Sequence, residues 1–246
     1  NNRYDFNSIF PNLVIPLELI ISYEGKKEYL DEEETEIIEL YTWVIGYVAR
    51  AKNGEAFSLL LEYFSELLYH FIEIEGKFTF EQMGLYCMAA LHPPTYIHSR
   101  MGGEISRSLC ASLLEQKPAL FIGVCGCRDE SMVLEKKNEI ENFCYHAALC
   151  HDFGKIPMVD TIFVYGRNLL DHEFALLKHH PRVGGLLLES NESTKAYADI
   201  ARGHHRWYDC SRGYPEEYNT FDSPNKILID IVCVADCMDA ATDSVG

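Results

Sequence analysis

Positive charge is scarce in this chain: 21 lysines and arginines stand against 38 aspartates and glutamates, a formal net charge of −17. Proteins that hold DNA or RNA polymers present a basic footprint to the phosphate backbone, so general nucleic-acid binding is excluded. A small anionic substrate is not excluded, because bound divalent cations reverse the field inside a single pocket. Long apolar runs are also missing. The stretch 12–21 is too short, and with Pro16 too interrupted, to cross a bilayer. No basic-then-apolar leader opens the chain, and no repeat or low-complexity tract is visible. Nine cysteines are present, but an odd count at irregular spacing forms no disulfide framework, and a reducing cytoplasm is the expected compartment. Cys125 and Cys127 form a CxC with no second pair to complete a metal clip, so they are read as ordinary thiols.

What is present is a globular chain of 246 residues, 48% hydrophobic, long enough to bury a sizeable core as one large domain or two modest ones. Its pattern is mostly helical, and an all-α fold is expected. After an ambiguous start over residues 1–30, acidic residues crowd a helix N-terminus from Asp31, followed by Ile37, Leu40, Val44 and Val48 at helical spacing. Asn53-Gly54 marks a turn, and apolar helices are expected over about 55–74 and 79–91. Pro93-Pro94 closes that region and a new helix begins near Thr95. Residues 116–135 read as a long loop. Helices then follow through Ile140, Phe143 and Ala147, and over about 171–189, 193–205 and 224–241. Ser223-Pro224 reads as N-cap and first helical residue of the last. Asn1 and Gly246 bound the chain without a start signal or a natural stop, as expected of a piece of a longer protein.

The histidines are the informative feature. His98, His151, His180 and His204 each fall near the apolar stripe of a separate helical segment, and Asp236 lies four after Val232. A lone histidine there is usually a satisfied core residue, but a whole set with aspartates is costly to bury without protonation, mutual pairing or a metal. The adjacent pairs His151-Asp152 and His204-His205 sharpen the point. Helix neighbours point about 100° apart, so both members reach one centre only at a helix end or between two metals.

His151-Asp152 lies in AALCHDFGKI, residues 147–156, which resembles the AxLLHDIGK signature of the HD superfamily of metal-dependent phosphohydrolases. The resemblance continues in order. His98-Ser99-Arg100 is similar to the opening histidine motif, and His179-His180-Pro181 with Gly184 to HPxxG. His204-His205 with Gly213-Tyr214-Pro215 resembles HHExxDGxGYP, and Val234-Ala235-Asp236 with Asp239-Ala240 resembles VADxxDA. Together these resemble the HD-GYP subgroup, which hydrolyses cyclic di-GMP, over a domain at 92–246 preceded by a mostly helical region at 1–91. The resemblance implies two divalent metal ions, iron or manganese, although ligand type alone also admits zinc, cobalt or nickel. One metal would take His98, His151, Asp152 and Asp236. The other would take Asp152, His180, His204 and His205, with Asp152 bridging. A hydroxide held between the metals would be the nucleophile. Lys155 would stabilise phosphate charge in the transition state, and Tyr214 would contact substrate or shape the rim. His70, His92, His146 and His172 match no ligand position and are read as structural or solvated, His179 as an outer or surface residue.

The chain departs from the pattern beside the metals. Arg206 stands where a glutamate follows the paired histidines, and Asp209-Cys210-Ser211-Arg212 replaces a shorter segment, with Cys210 in the place of a turn glycine. Cysteine tolerates positive φ poorly, so this loop is expected to take another geometry. Arg206 and Arg212 are candidate phosphate contacts. Pro94 occupies the place of a glutamate that binds a third metal in some relatives, so two metals are expected. The leading expectation is a phosphodiesterase of cyclic di-GMP or a related cyclic dinucleotide. The alternatives are hydrolysis of another nucleotide or phosphomonoester, a non-catalytic metal-containing sensor, and a scaffold. A homodimer or a regulatory domain outside this chain is left open, as are a sensory, dimerising or core-packing role for residues 1–90.

Overall fold

The computed structural model describes residues 28–50, 64, 66–74, 76–159 and 168–242, with Leu19 and Ser22; side chains at 47–50 are not described. Among these residues the chain is helical and forms no strand, only two isolated antiparallel bridges, Ile74–Phe78 and Arg206–Gly213. The all-α expectation holds. The expectations for 1–27, the Asn53-Gly54 turn and the first half of the 55–74 helix fall outside the described residues, apart from Leu19, Ser22 and Phe64.

The helices are α1 (Asp31–Arg50), α2 (Phe80–Leu91), α3 (Pro93–Gln116), α4 (Glu130–Glu135), α5 (Lys137–Cys150), α6 (Asp171–Leu177), α7 (His180–Glu189), α8 (Ala198–Gly203) and α9 (Lys226–Thr242). Four acidic residues open α1 against the positive end of its dipole, and Lys77 pairs with Asp31 and Glu34 there. Thr79 begins α2 with a capping box: its Oγ1 accepts from the Gln82 amide at 3.2 Å while Gln82 Oε1 accepts from the Thr79 amide at 2.9 Å.

Several boundaries differ from the sequence expectation. α3 starts at Pro93 and not near Thr95, because proline is well suited to a first turn whose amides have no helical partner. Its N-cap is His92, whose Nδ1 accepts from the Thr95 amide at 3.3 Å. The expected loop at 116–135 holds two 3₁₀ turns, Pro118–Phe121 and Val124–Gly126, and then α4, capped by Asp129. Each is too short to show a helical period, although each buries one apolar side chain. The segment 171–189 breaks at Lys178-His179 ahead of Pro181, which cannot sit inside a continuous helix. The expected helix at 55–74 runs through 66–69 and gives way to a turn at His70, followed by the Ile74–Phe78 bridge. α9 begins at Lys226. Ser223 is used otherwise, donating from Oγ to Asp199 Oδ2 at 2.7 Å and accepting from the Asn225 amide.

The buried apolar side chains form two cores. One joins α1, the apolar side chains of Phe64, Leu67, Leu68, Phe71, Ile74 and Phe78, α2, Cys150 of α5, the 3₁₀ turn Phe153–Met158, α7 and α8. Aromatic contacts run through it: Tyr41 to Phe71 at 4.8 Å, Phe71 to Phe80 at 5.7 Å and Phe80 to Phe153 at 6.5 Å between ring centroids. The N-terminal helices are therefore packed on the segment that carries His151, Asp152 and Lys155. Tyr41 is fully buried and its hydroxyl accepts from the Ile72 amide at 2.9 Å. The second core joins α3, α5, α8 and α9 around Cys110, Phe121, Ile140, Cys144 and Ile229.

Gly154 packs directly on the backbone of His180 and Gly184. A Cβ on Gly154 would lie 1.9 Å from the His180 carbonyl oxygen, and one on Gly184 would lie 3.0 Å from the Gly154 nitrogen. Backbone meets backbone here, so no side-chain rearrangement relieves a clash. Gly154→Ala is expected to cost about 1–3 kcal/mol or more and to lower the melting temperature by several degrees, as read by calorimetry.

Candidate metal centre

The structure gathers His98 from α3, His151 and Asp152 after α5, His180 at the start of α7, His204 and His205 after α8, and Asp236 from α9. Three helix ends meet here. The terminal carbonyls of a helix have no partner within it, and three imidazoles take them. Nδ1 of His151 lies 2.6 Å from the Ala148 carbonyl oxygen, Nδ1 of His180 2.7 Å from that of Leu177, and Nδ1 of His204 2.7 Å from that of Ala201. A carbonyl only accepts, so each Nδ1 carries the proton. Each Nε2 is left with a lone pair aimed into the cluster.

Those lone pairs have nothing in the protein to meet. His151 Nε2 is buried with no donor, and Asp152 Oδ1 is buried likewise. His180 Nε2 and His204 Nε2 face each other at 3.2 Å, and with both protons on Nδ1 neither can donate. Left so, each buried group costs about 1–3 kcal/mol. A cation removes the conflict: nitrogens sharing one metal at roughly 2.1 Å sit about this far apart. The donor set is one that divalent transition metals favour.

Two groups of three stand on either side of Asp152: His98, His151 and Asp236 in one, and His180, His204 and His205 in the other. Asp152 Oδ2 lies 3.5 Å from His151 Nε2 and 3.8 Å from His98 Nε2, while Oδ1 lies 3.2 Å from His180 Nε2 and 3.9 Å from His204 Nε2. One carboxylate thus offers one oxygen to each group. The Lys155 ammonium sits 2.5 Å from Oδ2.

Electrostatics follow burial. Burial keeps His151 and His204 neutral, and holds His205 down at about 3. Burial would also neutralise Asp152, yet Lys155 and the surrounding imidazoles overcome it and hold the carboxyl well below its usual range. His98 goes the other way. Burial, the largest influence, disfavours its charge, but the hydrogen bond to Asp236 Oδ1 at 2.9 Å, the charge of Asp152 and the bond to Asp239 together outweigh it, and its pKa rises to about 9. The second ring nitrogen of His98 meets Asp239 Oδ2 at 2.6 Å. Asp239 is the one residue of this centre that sequence reasoning left without a role. It appears in the quoted VADxxDA pattern, but only its approach to His98 Nδ1 shows that it orients a ligand-type ring.

The remaining candidates line or adjoin the cluster. The Tyr214 ring lies 4.5 Å from that of His205 and 6.2 Å from that of His180. Arg206 is buried, and its guanidinium donates to the carbonyls of Gly213 and Cys210, so it braces the loop from inside. Arg212 is exposed with its guanidinium 5.1 Å from the Trp207 ring centroid. The expectation that Cys210 avoids a left-handed backbone is corrected: its φ is +56°, with its amide on the Trp207 carbonyl at 2.8 Å and its own carbonyl on Arg206. Gly213, at φ +85°, is needed for a second reason, since a Cβ there would lie 2.0 Å from the His205 carbonyl oxygen. Of the other histidines, His146 pairs with Glu81 at 2.7 Å. All nine cysteines are free, and among the described residues none joins a metal-type cluster.

Asp239→Ala is expected to weaken metal binding about 10–100-fold, read by competition with a chelating dye, while the protein stays folded. The His98 proton gives a pH signature. His98 is protonated below about 9, and a metal needs its lone pair. Metal uptake at pH 7 should therefore release about one proton from His98, fewer through pH 9 and none well above it. Calorimetry in buffers of different ionisation enthalpy measures this, and proton release from that ring that does not fall with rising pH contradicts it.

Residues 95–241 match the HD domain family, more than half of the chain. The chain is 38% identical over 96 residues to the cyclic di-GMP phosphodiesterase response regulator RpfG of Xanthomonas campestris, covering 38% of this chain and 25% of that protein. It is 38% identical over 96 residues to a cyclic di-GMP phosphodiesterase of Thermotoga maritima, with the same coverage. A Vibrio cholerae protein of that description is 34% identical over 80 residues, 30% of this chain and 16% of its own length. The matched stretch thus spans a quarter or less of these relatives. No solved structure matches. With the HD pair, the converging histidines and the matched span in agreement, the chain belongs to the HD domain family.

Proposed function

We propose that this chain is a metal-dependent phosphodiesterase that hydrolyses cyclic di-GMP or a related cyclic dinucleotide. The observation that carries the reading is the division of seven ligand-type side chains into two groups that share the carboxylate of Asp152. The HD domain family implies divalent metal ions, and the His/Asp cluster fits them. The relatives named as cyclic di-GMP phosphodiesterases support the substrate. In this reading residues 92–246 form the phosphohydrolase domain, with residues 1–91 as a helical addition to it.

His98, His151 and Asp236 would hold one metal and His180, His204 and His205 the other, with the Asp152 carboxylate lying between the two groups. When bound, two divalent cations acidify water toward neutral pH and steady the attacking and leaving oxygens of a phosphoryl transfer. Iron or manganese is the proposed pair. The helix-end carbonyls fix the tautomers of His151, His180 and His204, so their rings are set before metal arrives. Lys155 lies against the shared carboxylate, where its ammonium meets charge growing on phosphoryl oxygens. Tyr214 forms a wall against His205 on which part of the substrate rests. Among the described residues no helix is long and apolar enough to cross a membrane. A reducing, cytoplasmic setting accords with nine free thiols.

One observation favours a neighbouring substrate. Arg206 and Cys210 rebuild the loop beside Tyr214, where another nucleotide or a phosphomonoester would be told apart from cyclic di-GMP. Metal content and turnover of cyclic di-GMP, measured on one anaerobic sample, test the proposal. About two metals per chain and turnover that Asp152→Ala lowers by more than about 100-fold are expected. Two metals with turnover only of other phosphoesters moves the substrate and keeps the centre. A protein that takes up no metal after reconstitution refutes the reading.

A further inference from the structure

Cys210 holds a left-handed backbone at φ +56°, where a glycine would be unstrained. Its thiol is partly exposed, and two buried side chains surround it. Thr220 is fully buried and its Oγ1 lies 3.1 Å from the sulfur. Arg206 is 5% exposed. Its Nη1 donates to the Gly213 carbonyl at 2.9 Å and its Nη2 to the Cys210 carbonyl, but its Nε is buried with no acceptor. Asn219 Oδ1, 3.6 Å from the sulfur, takes the thiol proton. The neighbouring Asp209 carboxylate is engaged by the Ser211 amide and hydroxyl at 3.0 and 2.7 Å.

This is the setting in which a cysteine becomes reactive: reachable from solvent, with a cation and a hydroxyl beside the sulfur. Burial pushes the thiol up, yet the Thr220 hydroxyl and amide and the Arg206 guanidinium outweigh it and draw the thiol below its ordinary value. The Arg206 Nε is the second feature. A buried N–H without an acceptor is costly, and an oxygen carried on the sulfur would supply one. The site thus holds an accessible nucleophile and an unused donor for what the nucleophile can pick up.

We propose that Cys210 is an oxidation site for hydroperoxides, whose sulfenyl oxygen accepts from Arg206 Nε and Thr220 Oγ1. The sulfur of the thiolate attacks one peroxide oxygen, and an S–O bond forms as the O–O bond breaks. With hydrogen peroxide the leaving hydroxide takes up the proton that the thiol released and departs as water. The sulfur loses two electrons and the peroxide gains them. A small thiol reverses the change by condensing with the sulfenic acid to a mixed disulfide and water, and a second thiol then frees Cys210. The new oxygen competes for the guanidinium that ties the Cys210 and Gly213 carbonyls together. Oxidation therefore acts on the segment that sets Tyr214 against His205.

The test is dimedone trapping of the reduced, iron-free chain during exposure to hydrogen peroxide near neutral pH, with each cysteine followed by peptide mass spectrometry. Exposure alone ranks Cys237, the exposed cysteine, ahead of Cys210. The geometry ranks them the other way. A thiol pKa one unit lower gains about tenfold in thiolate and loses roughly threefold in nucleophilicity, so Cys210 is expected to react about threefold faster than Cys237 or more. Thr220→Val keeps the shape of the side chain and removes the hydroxyl; it should slow Cys210 about threefold and leave Cys237 as it was. Arg206→Gln should slow Cys210 as well, and where that variant loses its fold Thr220→Val alone decides. Cys237 labelled as fast as Cys210 overturns the proposal. So does a Cys210 rate that Thr220→Val leaves unchanged, or a Cys210 that takes no label.

Discussion

The hydrogen bond from an imidazole Nδ1 to the carbonyl three residues earlier governs this molecule. It occurs at His151, His180 and His204, each time at the end of a helical segment. The carbonyls of Leu177 and Ala201 would otherwise be orphans of the helix terminus, that of Ala148 would keep only a long bond from the His151 amide, and each ring would otherwise choose its tautomer freely. Each bond settles both matters, and it leaves a lone pair pointing at the other two helix ends. The unsatisfied His151 Nε2, the unsatisfied Asp152 Oδ1 and the facing nitrogens of His180 and His204 all follow from it. A cavity so furnished is stable only with positive charge inside. In the protein alone, the Lys155 ammonium and the proton on His98 supply part of that charge.

Such a site demands that the helix ends be held within tenths of an ångström, and the packing around it is correspondingly close. Gly154 lies against the backbone of His180 and Gly184, so the segment carrying Asp152 and the helix carrying His180 touch through main chain alone. Phe153 turns the other way, into the aromatic contacts that lead through Phe80 and Phe71 to Tyr41. The N-terminal helices are thus fastened to the residue between His151-Asp152 and Lys155. A disturbance of α1 or α2 has a short route to the carboxylate shared by both histidine groups.

The loop after His205 shows how a changed sequence keeps a needed backbone. Cys210 stands in a left-handed conformation that costs a residue with a Cβ about 1 kcal/mol or more, and Gly213 stands where no Cβ fits at all. Arg206 accompanies the change. Its guanidinium bonds the carbonyls of Cys210 and Gly213 together, which offsets the strain and carries Tyr214 against His205. A cation that reads in the sequence as available to a phosphate is spent inside the loop.

The sequence by itself determined the helical class, since apolar residues recur at helical spacing from Asp31 to Asp236 and the turn residues fall between them. The motifs that resemble the HD family also name, as expected ligands, His98, His151, Asp152, His180, His204, His205 and Asp236, the side chains that the structure brings together. The reading that adjacent members of a pair need a helix end was likewise available from the 100° step of the helix. Only the tertiary structure decided the rest. Short elements such as α4 and the 3₁₀ turns depend on burying one side chain each, which leaves no period to read. The choice between ring nitrogens, the division of Asp152's oxygens, the second bond of His98 to Asp239 and the enclosure of Arg206 are set by distances between segments far apart in the chain. Local sequence fixes what a residue can donate or accept, and three-dimensional packing fixes which partner it meets.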